Sequence, residues 1–381
     1  MTTYAANWYL EDGSVTVNAD NSGQTVTQGS GSAVPDEAPV ITQRESSVET
    51  GNTITINAAE NATANVTISD VNINTSGKSG KSEAAVSTNG KGNVNIELDG
   101  TNTLKSGRNH AGLEKNSDGN QGKLTITDEN ENGKLIATGG NGAAGIGGGL
   151  YAGGNDITII GGEITATGGE CGAGIGGGFY TGGNDITIAG GKVTATGGDY
   201  GAGIGGGFFG NGNDITITGG KVTATGGDYG AGIGGGNQGN GSNITITDGE
   251  VAATGGTNGA GIGGGLRKNG EKITVSGDAT LKVQGGPTDT WDGAGAGIGN
   301  GGSHNGEFSG SFIPVNGAET EPDTSNLTTG KIEYYAPGAD MTKDEPTSTI
   351  LGSGQPTSPG ETAAPVEYRM QTSASEPVQG N

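Results

Sequence analysis

The sequence predicts an all-β fold: a single-stranded, right-handed parallel β-helix (solenoid) with three strands per coil and about eight to nine coils. Three observations carry this. The heptad GAGIGGG and its variant GAAGIGGG recur with central isoleucines at Ile146, Ile175, Ile204, Ile233 and Ile262, each 29 residues after the last. Short β-branched runs such as NDITI and KVTAT alternate with Gly-Gly pairs, which suits strands and corners and is costly in a helix. Within one period, Ile186, Ile188, Val193, Ala195, Ala202 and Ile204 alternate with Asp185, Thr187, Lys192, Thr194, Thr196 and Gly203. The first set is expected to point inward and the second outward.

Three apolar columns can be followed beyond the regular repeats. Coil by coil they are Val66, Ile73, Val86; Val94, Leu104, Leu113; Leu124, Leu135, Ile146; and Ile157, Ile164, Ile175. They continue as Ile186, Val193, Ile204; Ile215, Val222, Ile233; Ile244, Val251, Ile262; and Ile273, Leu281, Ile298. At roughly 4.8 Å per coil this makes a rod about 40 Å long, with Ile54 and Ile56 as the start of one further coil. Apolar residues are only 29% and glycines number 84, too poor for a wide core but sufficient for a thin column.

The chain divides accordingly. Residues 1–49 form an N-terminal β cap and loop, in which SVTV and TVT alternate like short strands. Residues 50–300 form the parallel β-helix. Residues 301–337 form a C-terminal cap using Phe308, Phe312, Ile332, Tyr334 and Tyr335. Residues 338–381, rich in Pro, Ser, Thr, Glu and Gly, are expected to be a disordered tail or tether. After Val283 the period lengthens, and the extra residues fall in GGPTDTWDGAG, read as a loop insertion.

In the early coils, NVTISDVNINTS, EAAVSTNGKGNVNIELDGTNTLKSG, HAGLEKN and GKLTITD resemble the carbohydrate-binding β-helix domain of clostridial surface proteins, which is related in fold to pectate lyases. The likeness covers roughly residues 50–130, and the glycine-rich repeats that follow are similar to repeats of gut Firmicutes proteins. It implies polysaccharide binding, but no ligand residue of that family transfers to a position here.

A net charge of −23 argues against phosphate-backbone binding and anionic membranes, leaving neutral glycans, cations and basic protein surfaces as partners. No apolar run is long enough for membrane insertion. MTTYAANWYLEDG lacks the marks of a signal peptide, so the chain is read as a mature or excised part of an exported protein, extracellular or at the cell surface. Cys171 is expected to be an incidental surface residue. An enzyme is set aside: the pectin-hydrolase signatures are missing, and acids that recur in equivalent places on several coils look like ladders rather than a unique catalytic pair.

Of 16 aromatic residues, seven lie at aligned positions of the repeats. Tyr151, Tyr180 and Phe209 follow the glycine strand, with Phe179 and Phe208 beside them, and Tyr200 and Tyr229 precede it. These rims, with Trp291 on the insertion, are the candidate carbohydrate-binding residues, flanking a trough floored by outward glycines such as Gly203 and Gly205. The alternative is that the rings stack as surface ladders that stabilise neighbouring coils. Two acidic ladders, Asp156, Asp185, Asp214 and Glu170, Asp199, Asp228, are candidate calcium ligands, helped by Asn155, Asn184 and Asn213. Mixed signs along Lys134, Glu163, Lys192, Lys221 and Glu250 predict pairing across coils. The T-A-T ladders at Thr165 and Thr167, Thr194 and Thr196, and Thr223 and Thr225 offer a lesser, ice-binding reading, against which neighbouring charges count. The favoured function is a non-catalytic polysaccharide-binding or adhesin module, with a purely structural stalk as the alternative.

Overall fold

A computed structural model describes residues 6–77, 82–116, 122–305 and 313–354. Among them there is no α-helix, and the single helical element is a 3-10 turn at Leu10–Asp12. Each coil of the body has three sides. In one, Gly183–Ile188 forms side one, Lys192–Thr196 side two and Ile204–Gly205 side three. In the next two coils sides one and two run as one bent strand, Gly212–Thr225 and Gly241–Thr254.

Stacking is parallel and in register. Ile157, Ile186, Ile215, Ile244 and Ile273 pair in sequence along side one, and Ile164, Val193, Val222, Val251 and Leu281 along side two. Side three stacks nine parallel strands, from Ile54–Ala58 to Ile298–Gly299. The column residues are almost wholly withdrawn from solvent, so the core is one thin apolar line per side. The stacking agrees with the predicted fold class and coil number.

The early register differs from the predicted alignment. Val66 lies opposite Ile96 rather than Val94, and Leu104 opposite Ala137 rather than Leu135. Both slips are of two residues, which keeps the same side chains inward. One consequence is that Leu135 faces Asn102, a fully buried amide. Its Oδ1 accepts from the Val71 N–H at 3.2 Å, and its Nδ2 donates to the Asp99 and Lys134 carbonyls at 3.0 and 3.2 Å. With its polar atoms paired across coils, the amide is tolerated inside.

At the N-terminal end, Val15–Asp20 pairs in parallel with Ile54–Ala58 and then turns back as an antiparallel hairpin with Gly23–Gln28. The hairpin ends the parallel stack at that edge. At the other end, Lys331–Tyr335 adds in parallel to Thr280–Gln284. Ser348–Leu351 then pairs antiparallel with Lys331–Tyr335, so ordered strand continues into the region expected to be a tether from 338. The reason is visible in the pairing: Ile332 needs a cover, and Ile350 lies opposite it. Phe308 and Phe312, predicted as cap residues, lie outside the described residues, as does everything after 354.

Candidate binding strip

The glycine heptad is a buried, folded-back segment rather than the floor of a trough. Gly203 and Gly205 are both buried. Gly147, Gly176, Gly205, Gly234 and Gly263 have φ between 127° and 135°, where a side chain is strained. A Cβ on Gly205 would also sit 2.1 Å from the Gly234 carbonyl oxygen of the next coil. The Ala202 N–H donates to the Gly206 carbonyl at 2.9 Å, closing the segment on itself. This brings Tyr200 beside Phe208, with ring centroids 5.0 Å apart. The two expected rims therefore converge into one strip.

Seven rings make up the strip: Tyr151, Phe179, Tyr180, Tyr200, Phe208, Phe209 and Tyr229. Along the rod the rings face one another. Tyr180 and Phe209 are 5.1 Å apart at 4°, Phe179 and Phe208 are 5.5 Å apart at 23°, and Tyr200 and Tyr229 are 6.1 Å apart at 10°. These are offset stacks, so much of each face is spent on its neighbour, while edges and phenol hydroxyls remain available. Tyr151 and Tyr180 are nevertheless 64% and 55% exposed. They and Phe209 sit in the left-handed region, at φ 60°, 64° and 61°. Gln238 and Arg267 continue that column with φ 58° and 59°.

Trp291 is exposed on the insertion, where its backbone N–H donates to Asp289 Oδ1 at 2.8 Å. Beneath it lies a network that sequence reasoning missed. The buried Asp292 carboxylate accepts from Arg267 Nε and Nη2 at 2.9 and 2.7 Å and meets His304 Nδ1 at 2.8 Å. Burial pushes the Asp292 carboxyl up, but Arg267 and His304 more than reverse this and leave it below the usual range. Asn258 Nδ2 donates to the Asp292 and Gly293 carbonyls at 3.0 and 2.8 Å, pinning the loop to the coil below. On an early coil, His110 Nδ1 meets the buried Glu114 Oε2 at 2.8 Å, which raises the imidazole pKa. Both histidines are thus tied to carboxylates.

Asp156, Asp185 and Asp214 align on side one, each with φ near 54°, and Asn243 and Lys272 continue the column. Lys123 adjoins its other end, and threonines of the same strands complete a shallow groove of about 290 Å³. Burial, then Asp156 and Asp214, raise the pKa of the central Asp185. A calcium ion requires about six to eight converging oxygens. Among the described residues no three acidic, histidine or cysteine side chains converge in that way. The amide oxygens expected to help are engaged: Asn155 Oδ1 accepts from Asn184 Nδ2 and Asn184 Oδ1 from Asn213 Nδ2, each at 3.2 Å. Neither this ladder nor Glu170, Asp199 and Asp228, which stand exposed beside the strip, fits a preformed calcium centre.

Side two carries ion pairs of the predicted kind. Glu163 bridges Lys134 and Lys192, both at 2.8 Å, and Lys221 reaches Glu250 at 2.7 Å. The threonine ladders pair in register on three coils until Ala252 replaces the residue opposite Thr223.

This architecture defines a parallel β-solenoid built from repeats. Five segments, residues 131–150, 157–179, 186–208, 215–237 and 244–266, match the family model described as Beta helix repeat. These segments are β-helix repeats, and they stack into the parallel β-solenoid described above. No curated protein and no solved structure gives a significant match to the chain.

Proposed function

We propose that this β-helix is a non-catalytic rod of an extracellular or cell-surface protein and that its aromatic strip binds polysaccharide. The supporting observation is that exposed rings occupy left-handed backbone positions which the fold fills equally with Gln238 and Arg267. A left-handed non-glycine residue costs about 1–2 kcal/mol, and a stacked aromatic pair returns about 0.5–1.5 kcal/mol. Two such residues cost about 2–4 kcal/mol together, more than their one stack returns, so the ladder at Tyr180 and Phe209 does not stabilise the coils on balance, which supports binding as the reason for it. A glycan crossing the strip would meet ring edges, phenol hydroxyls and the unshared faces at the ends of each stack.

The parallel rings also favour a second reading, in which the ladder only braces neighbouring coils. Replacing Tyr180 and Phe209 together by glycine separates the two. The binding reading expects an unchanged or raised melting temperature with loss of retention on immobilised polysaccharide. The bracing reading expects a clear fall in melting temperature and no change in retention. Thr194→Ala with Thr223→Ala, on side two, serves as the control.

A further inference from the structure

We infer that the strip selects sugars bearing free ammonium groups, glucosamine units rather than uronic acids. This rests on the glycan reading above and adds a charge requirement to it. Between residues 141 and 238, the acids are Asp156, Glu163, Glu170, Asp185, Asp199, Asp214 and Asp228, and the bases are Lys192 and Lys221 alone. Both lysines are held on side two by Glu163 and Glu250, away from the rings. Glu170, Asp199 and Asp228 immediately precede Cys171, Tyr200 and Tyr229 and are exposed along the strip's edge. Asp289 and Asp228 are near enough to Tyr229 to join burial in raising its phenol pKa.

At the C-terminal end the column passes to Arg267, whose charge is paired by the Asp292 carboxylate, and two amides are enclosed nearby in sequence. Asn237 follows Phe208 in its column and Asn258 follows Tyr229, and each has a buried Oδ1 without a hydrogen-bond donor. Asn258 cannot exchange its amide ends, because its Nδ2 already donates to backbone carbonyls. The strip surface thus offers aromatic rings and carboxylates, while the two amide oxygens are enclosed. Ammonium groups satisfy both, by cation–π contact at the unshared ring faces and by ion pairing. A uronate would bring its carboxylate against a row of carboxylates.

The test is calorimetric titration of the whole chain with three oligosaccharides of equal length: glucosamine, N-acetylglucosamine and galacturonic acid. The expected order places glucosamine about tenfold ahead of the acetylated oligomer, with galacturonate weakest, and the advantage should shrink as salt is raised. Asp199→Asn with Asp228→Asn should reduce that advantage severalfold. Asp185→Asn with Asp214→Asn removes the same charge from side one and should leave it intact. Equal binding of the amino and acetylated oligomers overturns the inference while leaving the glycan reading standing. An equal response to both aspartate pairs also overturns it, since attraction would then come from the chain's overall charge. If no oligosaccharide binds but a lysine-rich peptide does, both the glycan reading and this inference fail.

Discussion

Replacing Gly205 by alanine tests the arrangement on which the strip depends. The residue has φ 130°, and its new Cβ would lie 2.1 Å from the Gly234 carbonyl oxygen. That oxygen already accepts a hydrogen bond from the Gly206 N–H at 2.9 Å, so relieving the overlap pulls apart the bond that joins the two coils. Backbone strain contributes about 1–3 kcal/mol and the weakened hydrogen bond about 0.5–1.5 kcal/mol. Together these give roughly 2–4 kcal/mol. For a chain of this size, the melting temperature should fall by roughly 3–5 °C, followed by circular dichroism at several wavelengths because repeat arrays need not unfold in one step. Gly77→Ala is the matched control, because a Cβ there meets nothing within 4 Å. A Gly205→Ala protein as stable as Gly77→Ala would refute both the close approach of coils and the folded-back heptad.

Three further outcomes follow from the charges. Asp185 has a raised carboxyl pKa in the folded chain, so its ionisation opposes folding: the penalty is full above that raised value and disappears as pH falls below the ordinary 3.8. Asp185→Asn should therefore raise the melting temperature at pH 7 and give no gain near pH 3. Glu163 behaves in the opposite sense, since Lys134 and Lys192 lower its pKa from 4.5 to about 2. Its contribution is present above 4.5 and lost as pH falls through about 2, and Glu163→Gln should remove that acid sensitivity, with salt weakening the effect because the group is solvent-exposed. Asp292→Ala should free the insertion, leaving Arg267 and His304 without their shared carboxylate. Limited proteolysis should then cut within residues 287–292 faster than in the native chain, and an unchanged cleavage pattern would remove the pinning role.

The coils were legible because their anchors recur. Ile146, Ile175, Ile204, Ile233 and Ile262 mark side three at a constant spacing, and parallel stacking converts that spacing directly into contact. The first coils were less legible because alternation alone does not distinguish a register from one shifted by two residues, which is the slip at Val66 and Leu104. The trough failed for a different reason. A residue at φ near 130° breaks the alternation of a strand, and glycine adopts that conformation without leaving any mark in the pattern. Arg267, Asp292 and His304 were invisible as a group because Asp292 and His304 lie outside the 29-residue ladders, while Arg267 stands in a column otherwise held by Tyr151, Tyr180, Phe209 and Gln238. The lengthened period after Val283 pointed to their neighbourhood but not to their partnership.

The lengths of the columns separate scaffold from site. On side three the stacked strands run through nine coils, because every coil needs an inward side chain there. A glycine with strongly positive φ likewise follows the side-three isoleucine in every coil from Gly147 to Gly299, because every close approach there needs one. The aromatic columns behave otherwise. Tyr151, Tyr180 and Phe209 give way to Gln238 and Arg267 in the same backbone conformation, and Phe179 and Phe208 give way to Asn237 and Leu266, while the coils continue unchanged. A column that the fold required would not stop where the fold goes on. The rings are thus a local addition to a repeating frame, and their confinement to a few coils with acids along one edge is the property that a selective surface needs and a brace does not.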